Sequence, residues 1–156
     1  MNWDCLKQSS IVLDLKNTKK KRAIRELIRK SGAFENLSDA ASFERSVLER
    51  ERVMSTGVGR GVAVAHGEAP ELPEVCVALG VSTRGIDFEA ADAKPVHILF
   101  VVANSKPRQG EYLSVLSSLM KLMREDEVRD KVRGCQCSGD VEETLKTALR
   151  NIAQSH

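Results

Sequence analysis

The stretch "VHILFVVA", Val96 to Ala103, is apolar at every position but His97. A run without polar alternation is the mark of a central strand covered on both faces. A chain holding such a strand must bring helices to both sides of its sheet. This one has helical patterns before and after the run. Upstream, Ala23, Ile24, Leu27 and Ile28 share one helical face behind a basic "KKKR" run, with Thr18 as its N-cap and Gly32 at its end. Ser38 is placed to cap a second helix over Asp39–Arg52 with a stripe of Ala40, Phe43, Val47 and Leu48. Downstream, Tyr112–Met123 carries Leu113, Leu116, Leu119, Met120 and Met123 at helical spacing. A short amphipathic piece surrounds Val128 and Val132, and Asp140 with Glu143 fits a capping box for a last helix over Val141–Ala153.

Other strands fit around the central one. "VCVALGVS" puts Val75, Val77, Leu79 and Val81 on one face, and Cys76 in that stretch reads as core. "GVAVA" is a short strand of small residues. "SIVLDL" alternates, with Ile11, Leu13 and Leu15 on one side, as a short edge strand or extended lead-in. "EAPELPE" and "RGIDFEAADAKP" are connections. The expected architecture is α/β: one domain over residues 1–156, core about 11–153, with a mixed central sheet and helices on both faces.

Composition narrows the function classes. The net charge is +2 and aromatic residues make up 4% of the chain. Neither the electrostatic nor the stacking signature of nucleic-acid binding is present. No apolar run approaches the roughly 20 residues that span a bilayer. The first residues lack a signal-peptide pattern. A cytoplasmic location without membrane insertion is expected. Of the four cysteines, Cys135 and Cys137 form a Cys-x-Cys with no second pair to complete a zinc site, so no metal is expected. Nothing calls for a cofactor.

Chemistry concentrates in "STGVGRGVAVAHGEAPE", Ser55 to Glu71. Val62 stands where a dinucleotide fingerprint needs its third glycine, and no Gly-Lys-Ser/Thr pair is present. The glycines then read as a turn feeding the "GVAVA" strand, since each costs about 1 kcal/mol in a helix. His97 opens the apolar strand and fits a buried, hydrogen-bonded role. His156 is terminal. His66 follows the small-residue strand and precedes Gly67, at the mouth of a loop. An imidazole there suits a nucleophile or proton carrier, and the residues alone leave that role open against a structural one.

At "LERERVMSTGVGRGVAVAHG", Leu48 to Gly67, the chain resembles the enzyme IIA domains of the bacterial phosphoenolpyruvate-dependent phosphotransferase system, in their fructose, mannitol and nitrogen-regulatory class. The matching positions are Glu51, Val58, Gly59, Val62, Ala63, Val64 and His66; Ala65 replaces the proline of the family pattern. "IVLDLKNTKKKRAIRELI", "RGIDFEAADAKPVHILFVVA" and "GEYLSVLSSLMKLM" extend the resemblance over nearly the whole chain.

The resemblance implies a phosphocarrier. His66 would accept a phosphoryl group from HPr, or its nitrogen-branch relative, and pass it to a IIB domain or use it as a signal to a regulated target protein. Arg50 takes the place of the active-site arginine, with a guanidinium shaped for phosphate. Tyr112 stands where many relatives carry a second histidine; its hydroxyl can hydrogen-bond phosphate without carrying positive charge. Arg60, at a loop position often held by Asn, reads as a solvated arginine, with added charge near the phosphate as the alternative. A stand-alone nitrogen-regulatory enzyme IIA is expected. The alternatives are a sugar-specific transport subunit and a weakly active interaction module.

Overall fold

The computed structural model describes residues 5–53, 57–105 and 109–154. In chain order the elements are β1 (Ile11–Val12), α1 (Lys20–Lys30), α2 (Ala40–Val53), β2 (Gly57–Gly59), β3 (Val62–Glu68), β4 (Cys76–Ile86), β5 (Val96–Asn104), α3 (Gln109–Arg124), α4 (Asp126–Gly134) and α5 (Ser138–Gln154). The strands form one five-stranded sheet in the order β1-β4-β5-β3-β2. β3 runs parallel to β5 and β1 parallel to β4, whereas the β4–β5 and β2–β3 pairs are antiparallel. The sheet is therefore mixed, with the long apolar run at its centre. No helix among the described residues is long and apolar enough to cross a membrane.

β5 explains its own composition. Ile98, Phe100 and Val102 point into a core shared with Leu119, Leu122, Val132, Val141 and Leu145 of α3, α4 and α5. Leu99, Val101 and Ala103 point into a second core with Ala23, Ile24 and Leu27 of α1 and with Phe43 and Val47 of α2. Successive strand residues alternate between faces, so burying both faces leaves the middle of the strand, Ile98 to Ala103, without a polar residue.

β3 divides its residues unevenly. Val62 and Val64 face the α3 side, while Ala63 and Ala65 face α1 and α2. The small residues let α2 lie close against the strand. At Gly67 a Cβ would fall 2.6 Å from Val47 Cγ2 and 2.8 Å from the Val47 amide nitrogen. The Ser46 hydroxyl accepts the Glu68 N–H at 2.8 Å and ties the two elements together.

Several local expectations differ from the structure. The glycine segment contains strand β2, which forms a hairpin with β3; positions 55 and 56 of that segment lie outside the described residues. Gly59, Arg60 and Gly61 all have positive φ, at 89°, 60° and 77°. The glycines serve a turn that L side chains adopt at a cost, and an edge strand of three residues needs no buried side chains to form.

Helix starts shift for tertiary reasons. α1 begins after Lys19, not Thr18, with no side-chain cap; Asp87 N–H donates to the Thr18 carbonyl at 2.8 Å, so pairing with the sheet sets the extended chain there. It ends at Lys30, with Ser31 at the C-cap and Gly32 directly after it, where the sequence places its end. Asp39 rather than Ser38 caps α2, its Oδ1 accepting the Ser42 N–H at 3.0 Å, while the Ser38 hydroxyl is used by Glu71. α5 starts at Ser138, which moves Asp140 into the first turn and removes the capping box.

Three expectations about side chains also change. Ile11 and Leu13 join the α3-side core but Leu15 joins the other, because the strand covers only Ile11–Val12. Leu113 is 57% exposed, while Tyr112 and Val115 take the buried side of α3. β4 runs on to Ile86, so its connection to β5 starts later than "RGID" suggests.

Candidate functional site

His66 is not at a loop mouth but inside β3. Parallel pairing continues past it, from His66↔Val102 to Glu68↔Asn104. The side-chain alternation that sends Val62 and Val64 toward α3 sends His66 the same way. By this point the strand is leaving the core, so the imidazole is half-buried rather than enclosed.

Three elements converge on it. Arg50 comes from the last turn of α2, and Tyr112 from the first turns of α3. Both line an open groove of about 490 Å³ together with His66, Ser46, Asn104 and Gln109. The His66 and Tyr112 rings meet edge to face, with centroids 5.9 Å apart and planes at 64°. The structure thus brings together all three residues singled out in the sequence: His66, Arg50 and Tyr112.

Electrostatics suits a nucleophile. Burial, and then the charge of Arg50, hold the His66 imidazole below the ordinary histidine pKa; Glu51 and Glu68 act weakly the other way. The ring is then neutral at pH 7, with one nitrogen carrying a lone pair. Burial pushes the Tyr112 phenol up, against the pull of Arg50, so its hydroxyl keeps its proton and can donate. Among the described residues Arg50 has no carboxylate within ion-pair distance. Arg50 is exposed, and its positive charge acts on the imidazole across the groove.

Other residues of the motif serve the scaffold. Glu51 is buried and pairs with Lys20 at 3.4 Å, holding the end of α2 to the start of α1. Arg60 sits in the hairpin turn before β3, at the far end of the strand from His66, with its Nη1 3.4 Å from the Arg124 carbonyl oxygen. It adds no charge to the groove. His97 is half-buried, its Nδ1 2.8 Å from the Ser82 carbonyl oxygen. His156 lies outside the described residues.

Ser46, Asn104 and Gln109 were not anticipated. Ser46 is four residues before Arg50 on α2, a spacing that shares a helix face, so that signal was available. Asn104 is the first polar residue after the apolar run. Its partnership with the groove depends on strand register, which the run alone does not reveal.

His66, Arg50 and Tyr112 thus share one groove of a mixed α/β sheet. The chain belongs to the family described as "Phosphoenolpyruvate-dependent sugar phosphotransferase system, EIIA 2", whose profile matches residues 4–148. It is 32% identical over 130 residues to a nitrogen regulatory protein of Bradyrhizobium diazoefficiens, covering 83% of this chain and 84% of that one. It is 28% identical over 129 residues to the fructose-specific EIIABC component of Bacillus subtilis, where 83% of this chain corresponds to 20% of the longer protein. The crystal structure of the nitrogen regulatory protein IIA-Ntr from Neisseria meningitidis superposes with a TM-score of 0.83 at 30% identity, covering 91% of this chain and 97% of that one.

Proposed function

We propose that this chain is a phosphohistidine carrier of the nitrogen-regulatory kind, acting as one enzyme IIA domain in the cytoplasm. The observation that carries the reading is the convergence of a neutral His66, an Arg50 without a carboxylate partner among the described residues, and a protonated Tyr112 on one groove. The donor is a phosphohistidine protein of the HPr type or its nitrogen-branch relative. The His66 lone pair attacks phosphorus as the donor's P–N bond breaks, and the donor ring leaves with that electron pair. Charge spreads over the equatorial oxygens during transfer. Arg50 stabilises that charge, and Tyr112 donates a hydrogen bond where many relatives offer a histidine.

The nitrogen-regulatory reading is favoured over a sugar-transport subunit by how the relatives align. The nitrogen regulatory protein IIA-Ntr from Neisseria meningitidis superposes with a TM-score of 0.83 at 30% identity, against 0.72 at 23% for the mannitol IIA of Escherichia coli. The phosphoryl group then serves as a signal to a regulated target protein, or passes to a IIB domain.

The test is incubation of the pure protein with phosphoenolpyruvate, enzyme I and HPr, followed by intact mass. The wild type gains one acid-labile, base-stable phosphate, and His66→Ala gains none. A His66→Ala protein that still gains an acid-labile phosphate would remove His66 from this role.

A further inference from the structure

Asn104 closes β5 and is 6% exposed. Its Nδ2 donates to Gln109 Oε1 at 3.1 Å, and its backbone carbonyl accepts the Ala69 N–H at 2.8 Å. Its Oδ1 is buried and, among the described residues, has no hydrogen-bond partner. Buried amide oxygens are nearly always paired, because leaving one unpaired is destabilising. This orphan acceptor lines the same groove as His66.

The register brings the two together. His66 is the partner of Val102 on the adjacent parallel strand, and Asn104 lies two residues beyond Val102. Residues two apart in a strand share a face, so Asn104 stands on the α3 side, as His66 does. Gln109, in the first turn of α3, takes the amide N–H and so leaves the oxygen as the free end of the Asn104 side chain.

A neutral imidazole has one N–H and one lone pair, and the hydrogen bond made at one nitrogen decides which role falls to the other. Among the described residues neither ring nitrogen of His66 has a hydrogen-bond partner. An acceptor without a donor and a ring whose tautomer is unassigned thus line one groove. We propose that Asn104 is a positioning residue for His66: its Oδ1 accepts the ring N–H and leaves the opposite nitrogen bearing the lone pair that attacks phosphorus. Asn104 takes no part in the P–N exchange itself. It keeps the proton on the nitrogen that does not react, so no proton need move before transfer.

This inference rests on His66 as the phosphoacceptor, but its first readout does not need phosphate. The ring nitrogens of His66 are followed by long-range ¹H–¹⁵N NMR of the full chain, at a pH well above the ordinary histidine range, with the signals identified by their loss in His66→Gln. The wild type shows one pyrrole-like and one pyridine-like nitrogen. Asn104→Ala moves both toward the averaged shifts of a tautomer mixture. Asn104→Asp, which keeps an acceptor oxygen, retains the single tautomer. The initial rate of phosphoryl transfer to Asn104→Ala falls by about 10- to 100-fold, the range known for outer groups that orient a metal-bound imidazole.

A wild-type ring already averaged overturns the proposal. So does an Asn104→Ala ring unchanged from wild type, the result expected if a buried water satisfies Oδ1. Should the alanine variant not fold, the wild-type spectrum alone still decides, since an averaged ring has no fixed N–H for Oδ1 to accept. A wild type with a single tautomer that takes no phosphate from HPr contradicts the carrier function instead and leaves the Asn104 contact standing.

Discussion

β3 has two ends, and they use glycine differently. At its start, Gly59 and Gly61 flank Arg60 in a hairpin turn where all three residues have positive φ. Near its finish, Gly67 has no such conformation; it is glycine because α2 passes so close that Val47 would occupy the place of a Cβ. The glycine-rich end serves the turn, as its sequence suggested: Asp92 Oδ2 accepts the Arg60 N–H at 3.1 Å. The other end gathers His66, Arg50 and Tyr112. Glycine near a reactive residue therefore has two distinct causes in one strand, backbone conformation and helix approach. Only the second builds the groove.

The largest effect short of losing His66 is expected at Arg50. Arg50→Ala slows phosphoryl transfer in a rapid-quench assay by roughly 100-fold, since one lost charged donor is worth about 2–4 kcal/mol in a transition state. The melting temperature stays close to wild type, because Arg50 is exposed at a helix end. The variant also shifts the pH profile. Burial and then Arg50 depress the His66 pKa; removing Arg50 raises it, so the acid limb of the rate profile moves to higher pH. A variant that loses rate with an unmoved acid limb would separate Arg50 from the ring.

Gly67→Ala comes next. It forces a methyl into the α2 backbone and costs roughly 1–3 kcal/mol, the range for overpacked sites, read as a lower urea midpoint. Gly67→Asn, being larger, costs more. Gly59→Ala costs about 1 kcal/mol, the order of the left-handed penalty, and there Asn costs less than Ala because it tolerates that region. The opposite ranking of Ala and Asn at the two glycines is the sharpest form of the comparison. The same ranking at both would mean one cause acts at both ends. Tyr112→Phe is expected to be the mildest. Losing one neutral hydrogen bond is worth about 0.5–1.5 kcal/mol, a few-fold in transfer rate, and Tyr112→His preserves or raises the rate.

How much of this was legible in the sequence depends on what each feature answers to. β5 was legible because burial on both faces leaves a continuous apolar run, and the amphipathic helices because each buries a single stripe. β2 was not, since three residues with two glycines carry no strand pattern and form only by pairing with β3. The α1 start was misread because backbone pairing near Asp87, rather than a capping side chain, sets it. In the site, the residues alone narrowed attention to His66 and left its role open. Arg50 and Tyr112 entered through the family resemblance, and the structure then brought all three to one groove. Asn104 stayed hidden because its place beside His66 follows from the register of two strands 36 residues apart in sequence at the paired positions Glu68 and Asn104.

The most direct test of the account is a comparison of backbone amide NMR spectra of the protein before and after phosphorylation through enzyme I and HPr. The largest shifts are predicted at His66 and Gly67, at Asn104 and Gln109, and in the last turn of α2 around Arg50, with the hairpin from Gly57 to Gly61 nearly unmoved. Shifts centred on the hairpin, with the His66 groove unchanged, would contradict it.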